Sequence, residues 1–343
     1  MSQIRTSDRN ARIIAFLGQH GLGDATRVPL AGDASARRYE RIVRPDGTRL
    51  ILMDTPVPGH DLVPFMAIGG ALAGLGLSVP EVVAADTAAG LALLEDFGDD
   101  TVSRLLADGE DAEGLYELAT DVLVELHRRF RPEQAAALDL PVYDAPLFVE
   151  QVMLFADVYV PVATGQPLAE ADRSALRATW EAVVPEACAG PRSLLLRDYH
   201  VDNLMRLPRP GVAAGGLLDF QNAGLGPVAY DLVSLLEDAR RDVPAERAER
   251  MVARYLAAFP DIDAAAFRRS YAVLGAVRHT RIVAVFARLA LQERRRGYLV
   301  HLPRVWRLLE VLLAKPELAP VRAWFDRHLP PGTRADFIIP EPD

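Results

Sequence analysis

The sequence predicts an α+β chain in two parts, a strand-rich segment up to about Phe97 followed by a mostly helical one. Three observations carry this. Short runs before Glu95 are rich in apolar and β-branched residues at strand length. The turn-forming stretches DAS and RPDG separate those runs. From Thr101 onward the apolar residues recur at helical spacing instead. The domain expectation is therefore a lobe at 1–97 and a second lobe at 98–343.

Taken in order, Ser7 can cap a first helix that runs to Gly18 and Gly21. RVPLAGD, RRYERIV and TRLILMD then read as strands of a small antiparallel meander. Residues 60–76 read as a helix ending at Gly74 or Gly76, and SVPEVVAAD and GLALLED as two more strands. Beyond Thr101, DTVSRLLADG, Glu113 to Arg128, APLFVEQVMLFADVYV and nearly everything after Tyr230 have helical spacing. The only strands expected there lie around LLL, NLMRL and GGLLDF. GQHGLGD follows a helix, not a strand, so its glycines read as helix termination and not as a nucleotide loop.

Composition narrows the function classes. At 343 residues, half of them hydrophobic and a quarter charged, the chain suits about two globular domains. A formal net charge of −9 argues against a broad nucleic-acid face, so no nucleic-acid partner is expected and an anionic ligand needs a local cluster of donors. Cys188 is the only cysteine, which excludes an internal disulfide and a cysteine zinc cage. The run IIAFL is too short for a signal peptide, and YAVLGAVRHTRIVAVFARLAL is broken by Arg278, His279, Arg281 and Arg288. No membrane partner is expected, nor an obligate protein partner, and the cytoplasm is the expected location. Lys315 is the only lysine among 38 basic residues.

The stretch LLLRDYHVDNLM puts Asp198 and Asn203 in a polar interval between two apolar runs. NLMRL and GVAAGGLLDF flank the turn signal PRPG, so a hairpin centred near Gly211 would set Asn203 opposite Asp219. An amide oxygen and a carboxylate converging beside a second carboxylate suit a hard cation such as Mg²⁺, which also takes substrate phosphates. Asp198 is then available to orient and deprotonate a hydroxyl, completing the parts that phosphoryl transfer needs. Asp231, in GLGPVAYDLVSLL, reads as a helix N-cap or first-turn acid.

LLLRDYHVDNLM and LLDFQNAGLGPVAYD resemble the catalytic and metal-binding loops of the aminoglycoside phosphotransferase-like kinases, relatives of the protein kinases. RRYERIV with LILMD resembles the nucleotide lobe, LALLEDFGD the hinge, and VLVELHRRF the helix before the catalytic loop. More narrowly, DASARRYER, LALLEDFGD, LRDYHVDNLM, LLDFQNA, YDLVSLLEDARRDVP and FARL with LPRVW resemble the N-acetylmuramate/N-acetylglucosamine anomeric kinases of peptidoglycan recycling. The resemblance implies a two-lobed, protein-kinase-like fold with an antiparallel N-terminal sheet and a helical C-terminal lobe. It also implies ATP and Mg²⁺ as cofactors and phosphorylation of an amino sugar at its anomeric hydroxyl. Carried over by position, Asp198 is the base, Asn203 and Asp219 the metal ligands, and Glu95, Asp96 and Phe97 the hinge against adenine.

Three positions depart from the family pattern. Leu196 stands where a histidine is usual, Asn222 where close relatives tend to have aspartate, and Met53 near the place of the third-strand lysine. Phosphate contacts are therefore expected from the backbone around Ser35 and from Arg38 or Arg41 of the following strand. Inserted helices build the acceptor pocket in such kinases, which makes Glu150, Phe155, Asp157 and Tyr159 candidate sugar contacts. His200 is a further candidate, and Arg281, Arg288, Tyr298 and Arg304 are candidates for an acidic group such as a lactyl carboxylate. Two rival readings stand beside this one: a kinase for another small hydroxylated metabolite, aminoglycoside or choline-like, and a catalytically silent nucleotide-binding regulator.

Overall fold

The computed structural model describes residues 2–30, 37–55, 62–334 and 339, with side chains from Asp8 onward. It divides into two compact units, Met1–Ala112 with Val201–Asn222 and Glu113–His200 with Ala223–Asp343. Phe97 lies inside the first unit. The reason is the 201–222 segment, which bridges to Ser78 through Gly216 and to Thr101 through Met205, on either side of Phe97.

In the first unit β1 (Thr26–Pro29), β2 (Arg38–Val43), β3 (Arg49–Asp54), β4 (Val82–Asp86) and β5 (Leu91–Glu95) form one sheet in the order β1-β2-β3-β5-β4. Every neighbouring pair is antiparallel, and each strand falls on a run expected from the sequence. The Ser2–Gln19 helix lays Ile13, Phe16 and Leu17 on Ile42, Leu52, Leu91 and Leu93. Fully burying each such side chain contributes about 1.5–3 kcal/mol. Because the helix begins at Ser2, Ser7 lies within it and does not cap it. Arg9 pins the helix to the sheet by donating to Asp54 Oδ1 at 2.9 Å and to the carbonyls of Ala89, Thr55 and Gly90. The chain leaves the helix at Gly21, whose φ of 69° lets Leu22 N reach back to Leu17 O at 2.9 Å. The GQHGLGD glycines thus end a helix.

Four short strands follow: β6 (Arg192–Leu195), β7 (Leu204–Arg206), β8 (Gly215–Leu217) and β9 (Gly224–Pro227). β7 pairs with β8 in the first unit and β6 with β9 in the second, both antiparallel. β9 has no strand-like composition. Its glycines are there for clearance: a Cβ on Gly224 would sit 2.5 Å from Pro141 O and from the Tyr143 ring, and one on Gly226 2.6 Å from Leu195.

The second unit is built around the 29-residue Ala264–Gln292 helix, which is buried along most of its length. It packs against the Ala145–Leu154, Glu170–Cys188, Ala229–Leu236 and Leu302–Leu313 helices. The helical run from Ala145 to Thr164 is interrupted by a π turn at Phe155–Tyr159. By length and composition alone that run is long and apolar enough to cross a membrane. Phe148, Val152, Met153, Phe155 and Tyr159 are nevertheless buried against protein, as in a core helix. Cys188 is half-buried, and burial pushes its thiol up to about 12.

Candidate active site

In the second unit β6 delivers the chain into the loop that carries Asp198. Leu196 N and Arg197 N donate to the two carboxylate oxygens of Asp231 at 2.6 and 2.8 Å. Asp231 sits in the first turn of the Ala229–Leu236 helix and is 1% exposed. Burial pushes its carboxyl up to about 7 against the pull of those two donors, with the Asp198 charge adding to the rise and Arg278 opposing it. Arg197 adopts φ 72°, and Asp198 N turns back onto Leu196 O at 2.9 Å. A non-glycine residue in this region costs about 1–2 kcal/mol, so the loop is held in its shape by its partners. Tyr199 OH donates to Ala119 O at 2.7 Å, and His200, buried, lies with Nε2 3.2 Å from Arg240 Nη1. A guanidinium only donates, so His200 Nε2 accepts. The outcome is a half-exposed Asp198 whose neighbours on both sides are tied down.

In the first unit Asn203 closes the one-turn helix Val201–Asn203 and leads into β7. Leu204 faces Leu217, and Leu218 N donates to Asn203 O at 3.0 Å. Asn203 therefore lies opposite Leu218, one residue short of the expected Asp219, because a helical turn at Gly211–Ala214 shifts the hairpin centre. Asp219 follows directly, with φ 57°. Phe220 anchors it from below by stacking on Phe65 with ring centroids 4.8 Å apart, against Gly69, where a Cβ would already be 3.3 Å from the ring. Asp219 Oδ1 accepts from Gln221 Nε2 at 2.9 Å and from Arg37 Nη2 in an ion pair. Arg37 is itself buried.

Whether Mg²⁺ suits these residues can be judged from the donors. An amide and a carboxylate at adjoining positions offer the oxygen ligands that Mg²⁺ prefers, and Asp219 already carries a cationic partner. The residues fit. Asn222, next along the chain, is exposed.

The expected nucleotide residues are placed as follows. Glu95 accepts from Arg209 Nη2 at 2.5 Å, and Arg209 also lies over the Phe97 ring, 5.3 Å from its centroid. Asp96 holds Arg41 through both carboxylate oxygens, at 2.6 and 3.0 Å, and Asp99 takes the same guanidinium at 2.8 Å. Arg41 is thus committed to Asp96 and Asp99, and Arg38 is exposed. Met53 is fully buried. Ser35 lies outside the described residues. Arg37 and Arg209 were not singled out from the sequence. The alternation in RRYERIV did set Arg37 on one face with Tyr39 and Arg41, which was the available signal.

The expected acceptor residues divide. Phe155 and Tyr159 are fully buried in an aromatic cluster with Trp306 and Phe325, and Tyr159 OH accepts from Trp306 Nε1 at 3.1 Å. Neither ring presents a face to a ligand here. Glu150 and Asp157 pair with Arg177 and Arg173, each at 2.8 Å, on the Glu170–Cys188 helix. Arg288 is half-buried and its Nε makes no hydrogen bond. Arg304 is held by Asp242, while burial lowers Arg281, which also feels the charges of Tyr230 and Asp198.

A family model described as "Phosphotransferase enzyme family" matches residues 26–268. An N-acetylmuramate/N-acetylglucosamine kinase of Caulobacter vibrioides is 38% identical, covering 96% of this chain and 99% of the relative. Its namesake in Pseudomonas aeruginosa is 34% identical over 86% of each. Among solved structures, a choline/ethanolamine kinase family protein from Mesorhizobium loti is similar with a TM-score of 0.59 at 17% identity, covering 93% of this chain and 98% of that one. That likeness shows the two-lobed kinase-like fold. With the family model spanning most of its length, the chain belongs to the phosphotransferase enzyme family.

Proposed function

We propose that the protein is an ATP-dependent sugar kinase that phosphorylates the anomeric hydroxyl of N-acetylmuramic acid or N-acetylglucosamine, in the cytoplasm, with Mg²⁺ and no obligate protein partner. The observation that carries this reading is the tethered loop around Asp198, in a chain that is 38% identical over nearly its whole length to a kinase named for those two sugars.

The chemistry divides among named residues. Asp198 accepts the proton of the sugar hydroxyl as its oxygen attacks the γ-phosphorus of ATP. The bond to the β,γ-bridging oxygen breaks and ADP leaves. Asp231 keeps the Asp198 backbone from relaxing, so the carboxylate meets the hydroxyl without a reorganisation cost. Asn203 and Asp219 would hold Mg²⁺, which when bound neutralises and orients the phosphates. Glu95 to Phe97 receive adenine, braced by Arg209 and Arg41.

The test is turnover of the purified protein with ATP on a panel of amino sugars and amino alcohols, read by phosphorus NMR. A sugar 1-phosphate from either N-acetylated sugar is the expected product. Phosphorylation at another position, or turnover confined to the amino alcohols, would overturn the proposal.

A further inference from the structure

The first unit contains no lysine, and Met53, near the place where a kinase lysine would stand, is buried. Arg41 is spoken for by Asp96 and Asp99, and Arg38 is exposed. The guanidinium that lies on the expected metal ligand is that of Arg37, buried and paired with Asp219 Oδ1. Gln221 reinforces the same oxygen at 2.9 Å. Asp219 is held at φ 57° and its carboxylate is only partly exposed. A partly buried carboxylate without a counter-charge is costly, and here Arg37 supplies that charge.

A divalent cation on Asp219 would change this balance. Metal and guanidinium together would place three positive charges against one negative charge, and the two cations repel. Triphosphate oxygens restore neutrality and give a planar guanidinium fork a second acceptor of the right geometry.

Resting on the ATP reading above, we propose that Arg37 is the phosphate-binding cation that replaces the missing lysine, and that its ion pair with Asp219 opposes the binding of metal without nucleotide. Metal-nucleotide binding transfers Asp219 to the metal and the Arg37 fork to phosphate oxygens. Arg37 is thus a competitor for metal alone and a partner for metal with nucleotide. It therefore couples the two, and the coupling is reciprocal.

The experiment measures binding, not turnover. Calorimetry on wild type, Arg37→Met and Arg37→Lys would compare Mg-ATP with adenosine, and electron paramagnetic resonance would follow Mn²⁺ without nucleotide. For Arg37→Met, Mg-ATP affinity is expected to fall by about tenfold or more, the loss of a charged hydrogen bond, while adenosine affinity stays within about twofold. Arg37→Lys should recover part of the Mg-ATP loss. Mn²⁺ alone should bind Arg37→Met more tightly than wild type.

Unchanged Mg-ATP affinity in Arg37→Met would overturn the phosphate role. An equal loss of adenosine affinity would reduce Arg37 to scaffolding. Mn²⁺ binding that is equal or weaker in Arg37→Met would overturn the ion pair as a competitor for metal. A wild-type protein that binds adenosine and ATP equally would instead sink the nucleotide reading on which the inference rests.

Discussion

Asp198 and Asp231 are two carboxylates of one small region in different surroundings. Asp231 has both oxygens occupied by backbone donors and is buried, whereas Asp198 is half-exposed on the loop so held. Asp198→Asn keeps the shape and removes the proton acceptor. Turnover is expected to fall by about 10²- to 10⁴-fold, with Mg-ATP affinity by calorimetry nearly intact. A parallel loss of nucleotide affinity would mean that Asp198 is not a base. At this scale the sequence offers residue types in order: an aspartate and an asparagine five residues apart are common in loops, and it is the series Asp198, Asn203 and Asp219 that points to a site. It was uninformative about which arginine does what. Arg37, Arg38 and Arg41 have the same chemistry, and only the backbone phase and the position of Asp96 and Asp219 separate them.

Elements explain the remaining gaps. The expected hairpin was present, but its register was misplaced by one residue because nothing in GVAA announces a helical turn. β9 was missed altogether, since GLGP has no β-branched or aromatic residue and pairs with β6 for reasons of clearance. Gly224→Ala would force a methyl group to within 2.5 Å of the Pro141 carbonyl and the Tyr143 ring. A destabilisation of about 1–3 kcal/mol is expected, checked by urea unfolding; an unchanged midpoint would show that the Pro141–Tyr143 segment moves aside easily. The Ala112–Arg129 helix offers a second test. Its His127 hydrogen-bonds Tyr255 OH at 2.7 Å, and burial holds the imidazole down at about 3 from its usual 6.5. The folded state keeps this ring neutral while the unfolded chain takes up a proton. Its contribution is therefore full above pH 6.5 and is lost as pH falls towards 3, at about 1.4 kcal/mol per pH unit. His127→Gln should flatten the loss of stability between those limits in unfolding series run at each pH. Parallel curves for variant and wild type would show that His127 is not the group titrating.

At the scale of the whole molecule, a chain with a single lysine conducts its ionic chemistry through arginine. Lysine-directed acylating ATP probes should therefore leave the nucleotide site unlabelled and react only at Lys315, which is exposed, and at the chain's amino terminus. Mass spectrometry of the labelled protein checks this, and an adduct elsewhere in the first unit would contradict it. The two-part organisation was visible in the sequence as a change of periodicity. Its boundaries were not, because a unit defined by packing can recruit a segment from far along the chain. Val201–Asn222 is that segment: Phe220 under Asp219 stacks on Phe65, and Gly216 meets Phe97 and bridges to Ser78. During synthesis, residues 1–112 leave the ribosome without the hairpin that completes their core. At about 5–20 residues per second the wait for it lasts on the order of 5–20 s. The first unit is begun first, yet it can finish folding only after the Glu113–His200 part of the second has been translated.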